Sequence, residues 1–95
     1  MVNKQTKHIA RTARQLGEAL ARHRRALNLT QQDVAQKAGL RQATISQLEG
    51  GNARLDTLVN VLAALHLELV VRERQAGTEI DLEEIFQPER DADGS

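Results

Sequence analysis

Residues 30–49, TQQDVAQKAGLRQATISQLE, constrain the fold of this 95-residue chain more than any other stretch. Thr30 stands where a helix N-cap belongs and Asp33 follows three residues later. That is the spacing of a capping box, in which each side chain satisfies a backbone N–H of the other, although Asp is a shorter partner than Glu. Val34, Ala35 and Ala38 recur at helical spacing, and Gly39 follows where a left-handed residue ends a helix. After Leu40, residues 42–49 form a second periodic run, with Ile45 and Leu48 on one face and Gln42, Ala43, Ser46 and Gln47 on the other. Two short helices joined by a glycine-containing turn make a helix-turn-helix. The outward face of its second helix offers amides, a hydroxyl and a methyl with little charge, which suits base edges. Any small helical bundle also has a use for caps, a glycine stop and buried Ile and Leu.

Composition narrows the alternatives. The length allows one domain and a tail. Phe86 is the single aromatic, so a core must be built from Leu, Ile, Val and Ala. The absence of cysteine excludes disulfides and thiolate chemistry. His8, His23 and His66 are scattered without metal-ligand spacing and read as ordinary surface residues, and no nucleophile stands beside a base. The expectation is therefore a protein that is not an enzyme, with no catalytic residue, metal, cofactor or small-molecule substrate. The N-terminus is polar and the longest apolar run, residues 61–65, is too short for a bilayer, so a cytoplasmic protein is expected. The zero net charge conceals a division: residues 1–74 hold 12 of the 13 Lys and Arg but 6 of the 13 Asp and Glu, and residues 75–95 hold the rest. A basic body suits phosphates and an acidic tail suits a different partner, although a solvated surface with a disordered end has the same composition.

Residues 1–11, with Lys4, Lys7 and Arg11, read as a flexible basic arm. Thr12 and Gln15 open a first helix in which Leu16, Leu20 and Leu27, with Ala13, Ala19 and Ala26, are expected to be buried while Arg14, Arg22 and Arg25 face away; Asn28 stands at its stop. After the Gly50-Gly51 turn, Asn52 and Arg54 are candidate phosphate contacts or simply an ordinary polar turn. Leu55, Leu58, Leu62 and Leu65, with Val61, mark a fourth helix whose leucines read as core, and Asp56 near its start suits the helix dipole. From His66 the period becomes two, Leu67, Leu69 and Val71 alternating with Glu68, Val70 and Arg72. This reads as one strand, although Leu65, Leu69 and Arg72 also fit a last helix. A lone strand in a helical domain needs a partner, which a two-fold copy supplies by antiparallel pairing, so a homodimer is expected. The domain is thus placed at 12–74 and an acidic, disordered tail at 75–95. Within that tail Leu82, Ile85 and Phe86 read as an anchor for a partner protein or a second copy, ended by Pro88.

The run of TQ opening the first motif helix, Ala and Gly after it, QATIS opening the second and LE closing it resembles the Cro/CI-type (XRE) repressor family over roughly residues 12–65. The resemblance implies a mainly α, lambda-repressor-like bundle with one short C-terminal strand. It implies that Arg24 pairs with Glu49, and that Gln31 meets a DNA phosphate and braces Gln42, whose amide suits adenine N7 and N6. Arg41 departs from the family, which commonly has Ser or Thr as that cap; it loses the cap and gains reach to guanine or a phosphate. Ala43 is placed against a thymine methyl, Thr44 and Ser46 against a base or the backbone, and Gln47 against a phosphate. The LELVVR strand with a charged tail behind it narrows the likeness to the HipB-type antitoxins, which repress their own operons and hold a HipA-type serine/threonine kinase toxin. The implied function is a homodimeric repressor on palindromic double-stranded DNA and an antitoxin, found on the bacterial nucleoid when bound to its operator. The alternatives are a stand-alone phage-like or metabolic repressor, the antitoxin of an unrelated ribonuclease toxin, or an interaction module that uses the helix-turn-helix as scaffold.

Overall fold

Helices α1 (Ala13–Ala26), α2 (Gln31–Ala38), α3 (Gln42–Glu49) and α4 (Leu55–Ala64) make up the regular structure of the computed structural model, which describes residues 7–75. Two of the starts are capped by side chains. The Thr12 hydroxyl accepts from the Gln15 N–H at 3.0 Å, but the Gln15 amide accepts from Arg11 N–H at 2.7 Å rather than from Thr12, so that box closes one residue early. At α2 the reciprocal pair is complete, with Asp33 N–H donating to Thr30 Oγ1 at 3.0 Å and Thr30 N–H to Asp33 Oδ2 at 2.8 Å. The Thr30 backbone N–H and then its hydroxyl hold the Asp33 carboxyl below the usual carboxylate range.

All four helices end in the same way. Asn28, Gly39, Gly51 and His66 each have φ between +60° and +93°, the left-handed region. In each case the next residue's N–H reaches back to a carbonyl in the last turn: Leu29 to Arg24, Leu40 to Ala35, Asn52 to Gln47 and Leu67 to Leu62, at 2.8–3.1 Å. This is the Schellman arrangement, which satisfies carbonyls that a helix end otherwise leaves open. Leu29, Leu40 and Leu67 then fold back onto the core, so three of the stops are also packing positions.

The core is Leu20, Val34, Ala35, Ile45, Leu48, Leu58, Val61, Leu62 and Leu65. α2 packs on both α3 and α4, and α1 packs on α3. Burying Ile45 or Leu65 fully is worth about 1.5–3 kcal/mol each. Ala35 is completely buried, and its small side chain lets the α2 backbone come close to its neighbours. Asn60 Nδ2 donates to the Ala38 carbonyl at 3.0 Å, so α4 also holds the C-terminus of α2. Gly17 is the closest approach: a Cβ there lies 2.5 Å from the Glu49 carbonyl oxygen and 2.7 Å from that of Leu48. α1 therefore rests directly on the backbone that ends α3.

Several expectations fail here. Leu27 is the C-cap of α1 and is exposed, as are Ala13 and Ala26, while Gly17 and Ala21 are buried in their place. Leu55 opens α4 and is 72% exposed: at 100° per residue it stands about 70° from the centre of the arc made by Leu58, Val61, Leu62 and Leu65, which are buried. His8 and His23 are not ordinary surface residues: His8 Nε2 lies 3.3 Å from His23 Nδ1, the rings edge to face at 5.3 Å. Burial, then the charges of His23 and Arg22, push the His8 imidazole below its usual range. Residues 7–11 of the basic arm are described, and His8 is docked; the remainder of that arm lies outside the described residues. So do Leu82, Ile85, Phe86 and the tail that carries them.

Residues 67–75 carry no assigned helix or strand. The alternative of a last helix is therefore not realised across 67–72, and the expected strand is unpaired among the described residues. Leu67 is half-buried against its own core, whereas Leu69, Val70 and Val71 are exposed. No helix among the described residues is long and apolar enough to cross a membrane, and none of their His, Asp and Glu side chains cluster in threes.

Two substitutions check this description by urea denaturation. Gly17→Ala is expected to destabilise by about 1–3 kcal/mol, although alanine is the better helix former, because the added methyl meets backbone. His66→Gly is expected to stabilise by about 0.5–1 kcal/mol by removing the cost of a side chain in the left-handed region.

Candidate nucleic-acid interface

The outward face of α3 follows from which of its residues are buried. At 100° per residue, Ile45 and Leu48 point into the core. Gln42, Ala43, Ser46 and Gln47 project on the opposite side and are exposed, and Arg41 is exposed in front of them. Thr44 lies on the flank beside Leu48 and is half-buried, so it takes a smaller part in that surface than Ala43 or Ser46. Arg41 is the N-cap and makes no side-chain cap hydrogen bond. The guanidinium is thus not spent on its own helix, whose first N–H groups favour an anion.

A polar network runs from this face into the bundle. Gln42 Nε2 donates to Gln31 Oε1 at 3.2 Å, and Gln31 Nε2 donates to Glu49 Oε1 at 2.9 Å. Arg24 Nε donates to Glu49 Oε2 at 2.6 Å and a second guanidinium nitrogen to Glu49 Oε1 at 3.2 Å. The remaining arm of Arg24 donates to the Leu29 carbonyl at 2.8 Å, across the turn between α1 and α2. The Arg24 and Glu49 side chains are only 11% and 10% exposed. Burial pushes the Glu49 carboxyl up, but the hydrogen bonds from Arg24 and Gln31 and the charges of Arg24 and Arg25 outweigh it and leave the group below the usual carboxylate range.

The network fixes one side-chain orientation on this face. The Gln42 amide nitrogen is directed at Gln31, so the Gln42 Oε1 and Gln31 ends of this pair are set before anything binds. The link from Gln31 to Glu49 was not evident in the sequence. Gln31 and Glu49 are 18 residues apart and meet because α2 packs against α3.

The other candidate residues are more loosely placed. Gln47, in the last turn of α3, and Asn52 and Arg54, in the loop after it, are exposed. Arg54 pairs with Asp56 at 3.4 Å in an exposed contact, which is worth little by itself and leaves the guanidinium available to a phosphate. Among the strand positions, Leu69 and Val71 face solvent and Leu67 does not. Asn60 and Gly17, which hold α2 and α1 in place beneath this surface, were not singled out from sequence. A glycine in mid-helix is the signal that points to close packing.

Comparison with known proteins agrees with this geometry. A helix-turn-helix family model (HTH_3) matches residues 20–71. A solved structure of a HipA–HipB–O2–O3 complex contains a chain that is 30% identical, with 70% of this chain and 97% of that chain covered and a TM-score of 0.66. A HipB–O4 20mer complex matches with the same identity, coverage and score. A single-residue variant of HipB with an O2 20mer matches at 29% identity over 74% of this chain and all of that chain, with a TM-score of 0.68. No curated protein sequence matches significantly.

Because the folded Glu49 carboxyl titrates below the unfolded one, its contribution is complete above the unfolded value, about pH 4.3, and is lost as pH falls through the folded value. Glu49→Gln is expected to cost about 2–3 kcal/mol near neutral pH, with the deficit relative to the unsubstituted chain shrinking below about pH 4. Denaturation midpoints measured from pH 3 to pH 7 check this.

Proposed function

This chain belongs to the XRE-type helix-turn-helix family, in its HipB-like branch, and from that premise we propose that it is a sequence-specific DNA-binding repressor and antitoxin. The observation that carries the reading is the α3 face: Arg41, Gln42, Ala43 and Ser46, four exposed residues of base-reading chemistry, on a helix whose far end is fastened by Arg24, Gln31 and Glu49. Arg41 and Gln42 carry most of the sequence preference, Arg41 toward guanine and Gln42 toward adenine. Ala43 and Ser46 refine it, with Thr44 at the edge. Gln31, Gln47, Asn52 and Arg54 hold phosphates and set the register.

The dimer follows from the C-terminal segment. Leu69, Val70 and Val71 are exposed, Val71 at 90%, in a stretch whose backbone forms no ladder among the described residues. Pairing with the same segment of a second copy covers that surface, and it sets two α3 helices in successive major grooves about 34 Å apart on a palindromic site. Leu67 is then the inner end of the strand rather than an intersubunit contact. Repression is exclusion of polymerase from the occupied promoter.

The partnership with a HipA-type kinase rests on the likeness to HipB, which one of the similar structures holds together with HipA. Leu82, Ile85 and Phe86 are the tail residues with the chemistry to enter a pocket on such a partner. This reading makes the protein a cytoplasmic one.

Arg41→Ala and Gln42→Ala are each expected to weaken binding to the chain's own promoter about 10-fold to 100-fold while changing affinity for a scrambled duplex by less than about threefold. Fluorescence anisotropy at fixed salt measures both. Equal losses on the two duplexes would overturn the assignment of these residues to base reading. Leu69→Asp with Val71→Asp is expected to give a monomer by sedimentation and to weaken promoter binding by at least tenfold, since one half-site is then held alone.

A further inference from the structure

The outer face of α1 is basic. Arg14, Arg22 and Arg25 lie within an arc of about 80° on the side away from the core, are all exposed, and share that face with Glu18, which pairs with Arg14 at 3.4 Å. Arg11 continues the patch before the helix begins, and its guanidinium donates to the backbone carbonyl of Gln75 at 3.2 Å, across 64 residues of sequence. That contact fixes where the rest of the chain departs: beside the N-terminal end of α1. The departing segment, residues 76–95, carries seven carboxylates and one arginine. Twenty residues span about 30 Å if helical and over 60 Å if extended, whereas α1, 14 residues long, measures about 21 Å. Twenty residues are therefore long enough to reach along the whole patch.

We propose that residues 76–95 dock on the Arg11, Arg14, Arg22 and Arg25 face of the same chain as a tethered substitute for nucleic-acid phosphate. Charge complementarity selects this occupant, and the Arg11 contact brings the segment to it at the millimolar effective concentration typical of a short tether. Docking cancels the excess positive charge of the body, and with it the field that draws in a duplex. It leaves the α3 face untouched. The consequence is a salt-sensitive restraint that lowers affinity for every duplex by one factor while leaving discrimination between duplexes unchanged. The effect on DNA rests on the DNA-binding reading above; the docking itself does not.

Two measurements on the full-length chain test this. In the first, all seven carboxylates of residues 76–95 are replaced by their amides. Affinities for the native promoter duplex and for a random duplex are then compared with those of the unsubstituted chain. Both are expected to tighten about 5-fold to 10-fold at 50 mM salt and to differ by less than about twofold at 0.5 M, with their ratio constant. Unchanged affinity at low salt overturns the competition. In the second, Ser95→Cys supplies the one thiol of a chain that has none and carries a nitroxide. Broadening of the Arg14, Arg22 and Arg25 amide signals at low salt, relieved at 0.5 M, is expected. Signals that stay sharp overturn the docking. If neither chain binds DNA while broadening occurs, the docking stands and the DNA-binding reading fails.

Discussion

Glu49 accepts three hydrogen bonds, two from Arg24 and one from Gln31, and the seating of the helix-turn-helix depends on that cluster. A carboxylate at the C-terminal end of a helix sits unfavourably with the helix dipole and with its own burial. It is held there by a guanidinium from α1 and an amide from α2, so three helices meet at one side chain. Gly17 lets the α1 backbone lie directly on the same turn of α3. Removing the charge or filling the glycine acts on one joint, the position of α3 relative to the rest of the bundle.

That joint also explains how a small domain with few large side chains presents a defined surface. The hydrophobic core alone permits α3 some freedom to rotate and slide, since Ile45 and Leu48 are its only buried residues. Directional bonds at its last residue and at Gln42 restrict that freedom at both ends. Arg41, without any cap of its own, is the part of the surface left to adapt.

Much of the local structure was legible in the sequence because its causes are local. Thr30 with Asp33, Gly39 after Ala38 and Asn28 after Leu27 signal caps and stops through their own backbone preferences, and they stand where those preferences put them. Pairing of Arg24 with Glu49 came through family likeness, and the structure contains it. What was not legible depends on which neighbour happens to be opposite. Leu27 and Leu55 fit a buried period but stand at helix ends, Leu27 as the C-cap of α1 and Leu55 as the first residue of α4, and are exposed. Gly17 carries a signal, since a mid-helix glycine is costly without a packing reason, but the backbone it packs on, the end of α3, is about 30 residues away in sequence. The docking of His8 on His23 joins two segments whose spacing carries no pattern, and the face of Leu67 was decided by its role in the helix stop rather than by strand alternation.

The four helix ends have a kinetic meaning as well. Each stop is made by a left-handed residue and bonds reaching back within six residues, so it forms without waiting for distant parts of the chain. Three of the four deliver a leucine to the core in the same movement. Helix boundaries are thereby specified by bonds local in sequence. Chains with contacts this local fold in roughly microseconds to milliseconds, and a bundle of this kind has little opportunity to settle with a helix one turn too long.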